Sequence, residues 1–538
     1  MRRKSVLFFA FLIFSLVGFS QVARPKLVVG LVVDQMRWDY LYRYSDLYGS
    51  GGFKRLLKEG FSSENNFIPY MPTYTAVGHS CIYTGSVPAI TGIVGNNWYD
   101  KAANKNVYCT DDSTVSTVGN NGKAGKMSPA NMWTTTITDE LRLSNNFKSK
   151  VIGIALKDRG SILPAGHSAN AAYWYDGGKW ISSTHYMNAL PGWVNKFNDK
   201  DVAGAYMKTD WNTLLPIEKY DLSTADDKPY ETSIKGEKTV TFPHKLSAID
   251  AGNKYESFRT TPFANTFTFD FAKAAIESER LGKNTVTDFL AISISSTDYV
   301  GHSFGPNSIE IEDTYLRLDK DIESFLNYLD KTVGKGNYTL FLSADHGVAH
   351  VPAFLKEHKI PAGTFDDADI LKELNRKIEE KFAVKTAVKT VMNYQVYLND
   401  KNIAEQNKSK DEIIDFVIDR LKEKDFIINA FELDEVMEAA LPAPQREMMI
   451  NGYNPKRSGD IEFTFKSGYF DGGTKGTTHG LWNPYDAHIP CVFFGWGVKP
   501  GKTNRETYMT DIAPTLAALL KIQMPNGCVG KVITELIK

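Results

Sequence analysis

Six acidic and histidine side chains stand in short motifs whose residue types and spacing suit a metal ion. They are Asp34 in VVDQMR, Asp298 and His302 in STDYVGH, Asp345 and His346 in SADHG, and His479 in GTTHG. Zinc is bound by imidazole nitrogen and carboxylate oxygen as readily as by thiolate, and three-ligand sites leave positions open for water or substrate. Each motif alone is more often a turn residue beside a hydrogen-bonded histidine. Together they predict two metal sites with three protein ligands each.

A threonine hydroxyl is the candidate nucleophile. In the segment MPTYTAVGH, Thr75 precedes a short helix-like run that ends at Gly85. A hydroxyl at that position could simply be a helix N-cap. A helix N-terminus also attracts phosphate through its free N–H groups, and a hydroxyl bound to zinc can ionise near neutral pH and attack. Thr75 could therefore cap the helix and also serve as the nucleophile.

The elements that must position these residues have the pattern of a doubly wound α/β fold with a mostly parallel sheet. Apolar β-branched runs predict buried parallel strands at Lys26–Val33, Lys150–Leu156, Phe289–Ser295, Tyr338–Ser343 and Pro490–Gly495. Helix-like stretches lie between these runs, at Phe53–Glu59, Met132–Leu143, Thr268–Arg280 and Ile309–Lys331. This alternation of strands and helices predicts a doubly wound α/β domain.

Polar residues follow the first four predicted strands in turn. They are Asp34, then Lys157 and Arg159, then Asp298, and then Asp345 with His346. In such sheets the reactive residues gather beyond the carboxyl ends of the strands, so this order predicts one shared site. A length of 538 residues allows about three domains. Motifs spread from Asp34 to His479 instead require most of the chain to close around one site, so we predict a single catalytic domain over residues 21–538.

Two stretches interrupt the alternation of strands and helices. Residues 161–262, approximately, are rich in Trp, Tyr, Asp, Lys and Gly with little periodicity, and they predict an insertion over the active face. Residues from about 355 to 465 contain two amphipathic helices, Asp369–Phe382 and another from Asp411, with the strand-like Tyr394–Leu398 between them. This second stretch predicts a small α/β cap inserted into the catalytic domain.

The N-terminus predicts export. A basic MRRK start is followed by a short apolar run over residues 5–19, and Gly18 and Ser20 place small residues before a cleavage point at Gln21. The run is short for a membrane span of about 20 residues. We therefore expect a signal peptide at residues 1–20, a periplasmic or secreted protein and no stable membrane anchor. An uncleaved anchor is the alternative.

The amino-acid composition narrows the possible classes of protein further. The chain has 62 Lys and Arg against 63 Asp and Glu, a formal net charge of −1, and so lacks the basic excess of a nucleic-acid binder. Its 23% charged and 42% hydrophobic residues are ordinary for a folded globular protein. Four cysteines permit disulfides in an exported protein, in three possible connectivities. Proximity in sequence favours Cys81–Cys109 and Cys491–Cys528.

The order and spacing of the motifs, from about Lys26 to the C-terminus, resemble the alkaline phosphatase superfamily. The sequence most resembles the flavobacterial phosphate-irrepressible alkaline phosphatases with a threonine nucleophile, and the phosphodiesterase and nucleotide pyrophosphatase branch shares the Pro-Thr-x-Thr element. The resemblance implies one zinc held by Asp298, His302 and His479, and another held by Asp34, Asp345 and His346 with Thr75 as its reactive ligand. It also implies that Asn96 in GIVGNNWYD bonds a phosphoryl oxygen, although the neighbouring Asn97 could be the matching asparagine instead. Lys157 and Arg159 in ALKDRGS match the pair of basic residues that marks the monoesterase branch.

A charge argument agrees with the role implied for the two basic residues. A phosphate monoester dianion carries one more negative charge than a diester. Lys157 and Arg159 add two positive charges on a two-residue spacing, which places them on one side of an extended chain. Arg can also pair with two phosphoryl oxygens at once. The pair therefore favours monoesters, and ordinary exposed basic residues are the alternative.

These observations predict a hydrolase: an exported di-zinc alkaline phosphatase that acts on small-molecule phosphate monoesters through a covalent phosphothreonine intermediate. We expect it to work as a monomer without a nucleic-acid partner. The alternative is a phosphodiesterase or nucleotide pyrophosphatase with the same metals. A sulfatase is disfavoured because the sequence contains no Cys-x-Pro-x-Arg motif. A binding protein on a degenerate enzyme scaffold is disfavoured because the ligand set is complete.

Overall fold

Eighteen strands in the described part of the chain form one large sheet and three small ones. The structure is a computed structural model that describes residues 23–538, so the predicted signal peptide at residues 1–20 lies outside the described residues. The strands are β1 Leu27–Val33, β2 Phe61–Phe67, β3 Asn97–Asp100, β4 Lys105–Tyr108, β5 Thr117–Val118, β6 Val151–Ala155, β7 Ala171–Asp176, β8 Lys179–Ser183, β9 Asp288–Ile294, β10 Tyr338–Ser343, β11 Gly363–Phe365, β12 Val388–Met392, β13 Gln395–Leu398, β14 Ile427–Glu432, β15 Ile461–Phe465, β16 Tyr469–Asp471, β17 Cys491–Gly495 and β18 Gly501–Tyr508.

The large sheet has ten strands in the order β18-β2-β17-β10-β1-β9-β6-β7-β8-β5. Its five central strands, from β10 to β7, are parallel to one another. Every residue of β1, β6, β9 and β10 is buried, as expected for parallel strands that are covered on both faces. These four elements confirm the first four predicted strands and the α/β fold class.

The sheet is mixed, because some of its outer strands run in the opposite direction. The predicted strand Pro490–Gly495 exists as β17, but it is antiparallel to β10 and to β2. The prediction of a parallel strand there was wrong. A continuous apolar run indicates burial on both faces, and that burial does not depend on strand direction. β7 and β8 are also antiparallel and form a hairpin at the other side of the sheet.

The helices of residues 23–538 alternate with the strands along the chain. They are α1 Tyr40–Arg43, α2 Phe53–Glu59, α3 Thr75–Thr84, α4 Pro88–Thr91, α5 Ile137–Leu143, α6 Asp158–Ala165, α7 Gly192–Asn198, α8 Val202–Tyr206, α9 Lys254–Phe258, α10 Phe263–Glu279, α11 Ser296–Phe304, α12 Ile309–Leu329, α13 Pro352–Glu357, α14 Asp367–Phe382, α15 Asp400–Glu405, α16 Lys410–Lys422, α17 Ala443–Gly452, α18 Pro484–Ala487 and α19 Ile512–Leu520. Within residues 23–538, none of them combines the length and apolar character needed to cross a membrane.

One predicted helix begins later than its apolar pattern indicated. The sequence predicted a helix from Met132, whereas α5 begins at Ile137. Thr136 caps it, because its side chain accepts a hydrogen bond from the Asp139 N–H while the Asp139 carboxylate accepts one from the Thr136 N–H. Such a capping box satisfies two N–H groups that would otherwise lack partners, and it therefore fixes where the helix starts.

The segment 161–262, predicted as an insertion, first contributes to the main sheet. Its residues 171–183 form β7 and β8, which extend the sheet beyond β6. Only the chain after β8 leaves the sheet, and it carries the short helices α7, α8 and α9. In the predicted cap, β12-β13-β15-β14 form a separate four-stranded sheet with its own hydrophobic cluster, which includes residues of α14 and α16. The predicted helices Asp369–Phe382 and from Asp411 correspond to α14 and α16.

All four cysteines are free thiols, so the predicted pairs Cys81–Cys109 and Cys491–Cys528 were wrong. Each pair is close in sequence but lies on different elements. Cys81 is inside α3 and Cys491 is inside β17, both fully buried. Cys528 instead lies beside Gly85, at the C-terminal end of α3. The large core makes disulfides unnecessary for folding.

Candidate active site

The carboxyl ends of three adjacent parallel strands bring the predicted acidic ligands together. Asp34 directly follows β1, Asp345 comes two residues after β10, and Asp298 lies in the first turn of α11 after β9. The Asp34 N–H donates to the carbonyl of Ile294, the last residue of β9, which ties the two strand ends together. Because β1 lies between β9 and β10, the three carboxylates converge on one edge of the sheet.

The six predicted metal ligands form two groups of three. One group contains Asp298, His302 and His479, and the other contains Asp34, Asp345 and His346; within each group the ligand atoms lie within 4.8 Å of one another. In the first group, the Nε2 atoms of His302 and His479 lie 3.1 and 3.7 Å from Asp298 Oδ1. In the second, His346 Nε2 lies 3.5 Å from Asp34 Oδ1 and 3.4 Å from Asp345 Oδ2. The rings of His346 and His479 stack with their centroids 3.4 Å apart, so the two groups adjoin.

Each of the three histidines is oriented by a backbone carbonyl. The Nδ1–H of His302 donates to the Thr477 carbonyl at 2.8 Å, that of His479 to the Thr73 carbonyl at 2.8 Å, and that of His346 to the Gly347 carbonyl at 2.9 Å. A hydrogen bond at Nδ1 fixes the tautomer and leaves the Nε2 lone pair free to bind a metal ion. All three Nε2 atoms point toward the carboxylates.

The carboxylates carry more negative charge than the protein compensates. Asp34 Oδ1 and Asp345 Oδ2 are buried and have no hydrogen-bond partner among the described residues. Burial and the neighbouring charges of Asp298 and Asp345 raise the pKa of Asp34 well above its usual value. Lys157 supplies one positive charge to Asp34 and Asp298, so the three buried carboxylates keep a costly excess of negative charge, and cations relieve that cost. The donor set therefore fits divalent metal ions.

Thr75 is the first residue of α3, and the preceding Tyr74 occupies the N-cap position. The alternative interpretation of Thr75 as a simple N-cap is therefore wrong. Its buried Oγ1 atom lies 3.3 Å from His346 Nε2, at the second group of ligands. The hydroxyl thus combines a helix N-terminus with a place beside the candidate metal ligands, which is the arrangement that suits a nucleophile attacking phosphorus.

Asn96 also reaches this helix N-terminus. Its Oδ1 atom accepts a hydrogen bond from the Ala76 N–H at 2.9 Å, which leaves the two donors of its NH2 group for another acceptor. The neighbouring Asn97 begins β3 and its side chain is exposed. The geometry therefore favours Asn96 over Asn97 as the residue that contacts a ligand at Thr75.

Lys157 and Arg159 lie at the start of α6, with Lys157 at its N-cap position. The chain is not extended there, because the helix begins between the two residues, but both side chains still line one cleft. Lys157 Nζ lies 2.7 Å from Asp34 Oδ2 and 2.5 Å from Asp298 Oδ2, so it contacts both ligand groups. Arg159 instead donates through Nη1 to the Tyr108 hydroxyl at 3.0 Å.

Two further residues support the site: Gln35, which nothing in the sequence singled out, and His79, whose place beside the Thr75 motif predicted a structural or supporting role. Gln35 donates through its backbone N–H to Asp345 at 3.1 Å and through Nε2 to Asp298 at 2.8 Å, and it adopts a left-handed φ of 66° to do so. His79 donates through Nδ1 to the Thr75 carbonyl at 2.8 Å and lies 3.3 Å from Asp345 Oδ2. A single glutamine after a strand gives no signal of such a role, whereas the spacing of four between Thr75 and His79 on a helix is one.

Comparison with known proteins identifies the class. Residues 28–486 match the family described as type I phosphodiesterase / nucleotide pyrophosphatase, and the chain belongs to this family, whose fold is alkaline phosphatase-like. The chain is 56% identical to alkaline phosphatase PhoV of Synechococcus elongatus, with 96% of this chain and 94% of PhoV covered. It is also 58% identical to a Myroides odoratus protein named calcium-transporting ATPase, with 98% and 97% covered.

A solved structure agrees in both sequence and fold. The crystal structure of wild-type alkaline phosphatase PafA matches with a TM-score of 0.95 and 53% identity, covering 96% of this chain and 100% of that chain; PafA of Elizabethkingia meningoseptica is similar over the same share of this sequence. These relatives make the chain a phosphatase, a hydrolase of the alkaline phosphatase type, and they confirm the predicted family.

Proposed function

We propose that the chain is an exported, di-zinc alkaline phosphatase that hydrolyses phosphate monoesters through a covalent phosphothreonine intermediate on Thr75. The observation that carries this proposal is the position of the Thr75 hydroxyl. It lies 3.3 Å from His346 Nε2, in the first turn of α3 and beside the two groups of candidate ligands. A nucleophile there meets the phosphoryl group where positive charge and free N–H groups converge.

The proposed metals are two zinc ions, because oriented imidazole nitrogens and buried carboxylates are ligands that zinc takes at catalytic sites. Asp298, His302 and His479 would hold one ion, and Asp34, Asp345, His346 and Thr75 would hold the other. Bound zinc lowers the pKa of a hydroxyl or a water molecule and offsets the negative charge of the phosphoryl group.

The reaction has two steps on the protein. The Thr75 oxygen attacks phosphorus, so that an Oγ1–P bond forms while the ester P–O bond breaks and the alcohol leaves with a proton. Water then attacks the phosphothreonine, releases inorganic phosphate and returns the hydroxyl of Thr75. His79 supports both steps, because its hydrogen bond to the Thr75 carbonyl holds the backbone of the nucleophile in place.

Three side chains are proposed to bind the non-bridging phosphoryl oxygens. Asn96 offers its NH2 group beside the start of α3, while its oxygen stays bound to the Ala76 N–H. Lys157 offers a buried ammonium group once bound cations offset the charges of its carboxylate neighbours, and Arg159 offers a guanidinium group next to it on α6. Two added positive charges favour a dianionic monoester over a monoanionic diester.

The alternative activity is phosphodiester hydrolysis, which the name of the matching family suggests. The deciding experiment compares 4-nitrophenyl phosphate with bis(4-nitrophenyl) phosphate, with and without a chelator, while bound zinc is quantified in parallel. We expect the monoester to be preferred, activity to be lost on chelation and two zinc ions per active chain. A preference for the diester would overturn the monoesterase assignment. ATP belongs in the same assay, since one relative is named an ATPase.

We also propose that the protein is periplasmic or secreted, works as a monomer and acts on small-molecule esters. Export is supported by the signal-peptide pattern of residues 1–20. Mass spectrometry of the protein recovered from a cell fractionation tests it, and a mature chain that begins at Gln21 outside the cytoplasm is the expected result. Light scattering after size-exclusion chromatography tests the oligomeric state, for which one chain per particle is expected.

A further inference from the structure

A cleft beside the candidate metal ligands carries three basic side chains. It has a volume of about 310 Å³, and its lining includes Lys157, Arg159, Arg259, Tyr108, Tyr175 and Tyr299. Lys157 joins the cleft to the ligand groups, because its Nζ atom contacts both Asp34 and Asp298. The cleft therefore adjoins the place where the phosphoryl group is proposed to bind.

Arg259 is the basic residue of this cleft that the proposed reaction does not use. It directly follows α9, in the segment that leaves the main sheet. Its Nη1 atom donates to the Tyr299 hydroxyl at 3.1 Å, and its Cζ atom lies 5.0 Å from the centroid of the same ring. Lys157 Nζ lies 5.2 Å from that centroid as well. A single aromatic ring therefore contacts one cation of the active site and a second cation outside it.

The two arginines of the cleft are only partly engaged by the protein. Within residues 23–538, the Nε atoms of Arg159 and Arg259 are both buried without a hydrogen-bond partner. The ionic partner of Arg259 is Glu256, whose side chain is 49% exposed, and ion pairs with such exposed partners add little stability. Asp158 also lines the cleft, but its carboxylate already accepts a hydrogen bond from Tyr108 at 2.7 Å. Because the Arg259 side chain keeps 22% of its surface exposed and its ion pair is weak, an incoming anion can compete with Glu256 for the guanidinium group.

We propose that Arg259, beside Arg159, forms a second anion-binding subsite, which takes a carboxylate or a phosphate carried by the leaving group of the phosphate monoester. This subsite rests on the proposed function, because it defines the class of monoester. Guanidinium groups pair with either anion through two parallel hydrogen bonds. The rings of Tyr108 and Tyr175 supply apolar surface for the carbon skeleton between the two anions. Monoesters with a second anionic group are therefore the preferred substrates.

The test uses three aryl monoesters that differ in one substituent. The substituent at position 3 of the ring is a neutral amide in 3-carbamoylphenyl phosphate, a carboxylate in 3-carboxyphenyl phosphate and a second phosphate in 1,3-phenylene bisphosphate. For the zinc-loaded wild-type enzyme and each variant, kcat/KM on the two anionic substrates is divided by kcat/KM on the neutral one. Dividing the variant's ratio by that of the wild type removes differences in the intrinsic reactivity of the three esters.

The variants are Arg259→Gln, Glu256→Gln and, as a matched control, Arg376→Gln, which alters an exposed arginine of α14 that pairs with Glu380.

We expect Arg259→Gln to lower the ratio of kcat/KM on an anionic substrate to kcat/KM on the neutral one about ten-fold relative to the wild type. This is the effect of losing one charge-assisted, hydrogen-bonded pair. Glu256→Gln removes the competing carboxylate and should raise the ratio roughly two- to five-fold. Arg376→Gln should leave it unchanged. A loss confined to one anionic substrate supports the subsite and identifies its anion as phosphate or carboxylate.

If neither Arg259→Gln nor Glu256→Gln changes this ratio, the proposed subsite is wrong, and Arg259 only supports Tyr299. If Arg259→Gln does not fold, the opposite shift expected of Glu256→Gln decides the question. Absence of turnover of all three esters by the wild-type enzyme is a different result. It overturns the proposed function, and the subsite with it, and so the two failures are distinguishable.

Discussion

The Nζ atom of Lys157 lies 2.5 Å from Oδ2 of Asp298, and both side chains are buried. Asp298 belongs to one group of candidate metal ligands, while the same Nζ atom lies 2.7 Å from Asp34 of the other group. One ammonium group therefore links both groups to the proposed phosphoryl-binding residues. Bound metal ions would offset the charge of these carboxylates and so leave the ammonium group of Lys157 available to an anionic substrate.

Substitution Lys157→Met should destabilise the metal-free protein more than the metal-loaded protein. Removing one partner of a buried ion pair costs about 3–5 kcal/mol, and bound dications would offset the same carboxylates. Urea unfolding with and without chelator measures the difference. Lys150→Met, at a partly exposed ion pair with Glu279, is the control. An equal loss of unfolding free energy in both metal states would contradict the linkage.

Substitution Thr75→Ala should reduce turnover of a phosphate monoester by about 1,000-fold or more, because it removes the proposed nucleophile. Zinc content should stay near two per chain, since the six other ligands remain. Steady-state kinetics and elemental analysis of the same sample measure both quantities. Thr114→Ala, at an exposed turn, serves as the matched control. Near-wild-type activity of Thr75→Ala would assign the attack to another group.

The neighbouring asparagines provide a matched pair of variants. Asn96→Ala should lower kcat/KM for a monoester about 10- to 100-fold, because a hydrogen bond to a developing charge is lost together with the acceptor for the Ala76 N–H. Asn97→Ala, at an exposed position, should change it less than about two-fold. Assays under identical zinc loading distinguish the two. Comparable losses in both variants would indicate a structural effect on the loop.

Stability should fall as the pH rises from about 6.5 to 9, partly through His244. Burial would lower the pKa of His244, but its hydrogen bonds to Glu237 at 2.9 Å and Glu310 at 3.2 Å raise it to about 9. The folded state therefore holds this proton more tightly than the unfolded chain does. The contribution, on the order of 3 kcal/mol, is complete below the unfolded pKa of about 6.5 and is lost as the pH approaches 9. Burial and Glu310 also raise the pKa of Glu231 to about 9, which acts in the same direction.

Thermal unfolding between pH 6 and pH 10 tests the role of this histidine. His244→Gln should lower the melting temperature at pH 6 and flatten its decline toward pH 9, because the group that titrates is gone. His185→Gln, which removes an exposed histidine, should leave the profile parallel to that of the wild type. A variant of His244 whose profile merely shifts downward, with an unchanged slope, would contradict this account.

The ligand groups were predictable because the sequence places them at strand ends. Buried β-branched runs indicated β1, β9 and β10, and Asp34, Asp298 and Asp345 follow them closely. Because these strands are adjacent and parallel, their carboxyl ends bring the three carboxylates together independently of the conformation of the loops. The hairpin of β7 and β8 was missed, although Gly177 and Gly178, both with positive φ, form a two-residue turn that carries its own sequence signal.

Other features of the site could not be predicted, because neither residue type nor spacing indicates them. Gln35 supports two carboxylates only because its backbone turns into the left-handed region after β1. The different partners of Lys157 and Arg159 depend on where α6 begins, and helix boundaries are set by local capping rather than by the apolar pattern. Arg259 reaches the cleft from a segment without periodicity, so only the folded chain could reveal it.

The hydrogen bond from His479 to the carbonyl of Thr73 joins residues that are 406 positions apart. Contacts of such high sequence separation form late in folding, after the intervening chain has been ordered. A nascent chain that still lacks its last stretch has the proposed nucleophile but only part of the ligand set. Hydrolysis can therefore begin only after His479 has been synthesised and has reached Thr73, and recovered activity becomes a direct measure of refolding yield.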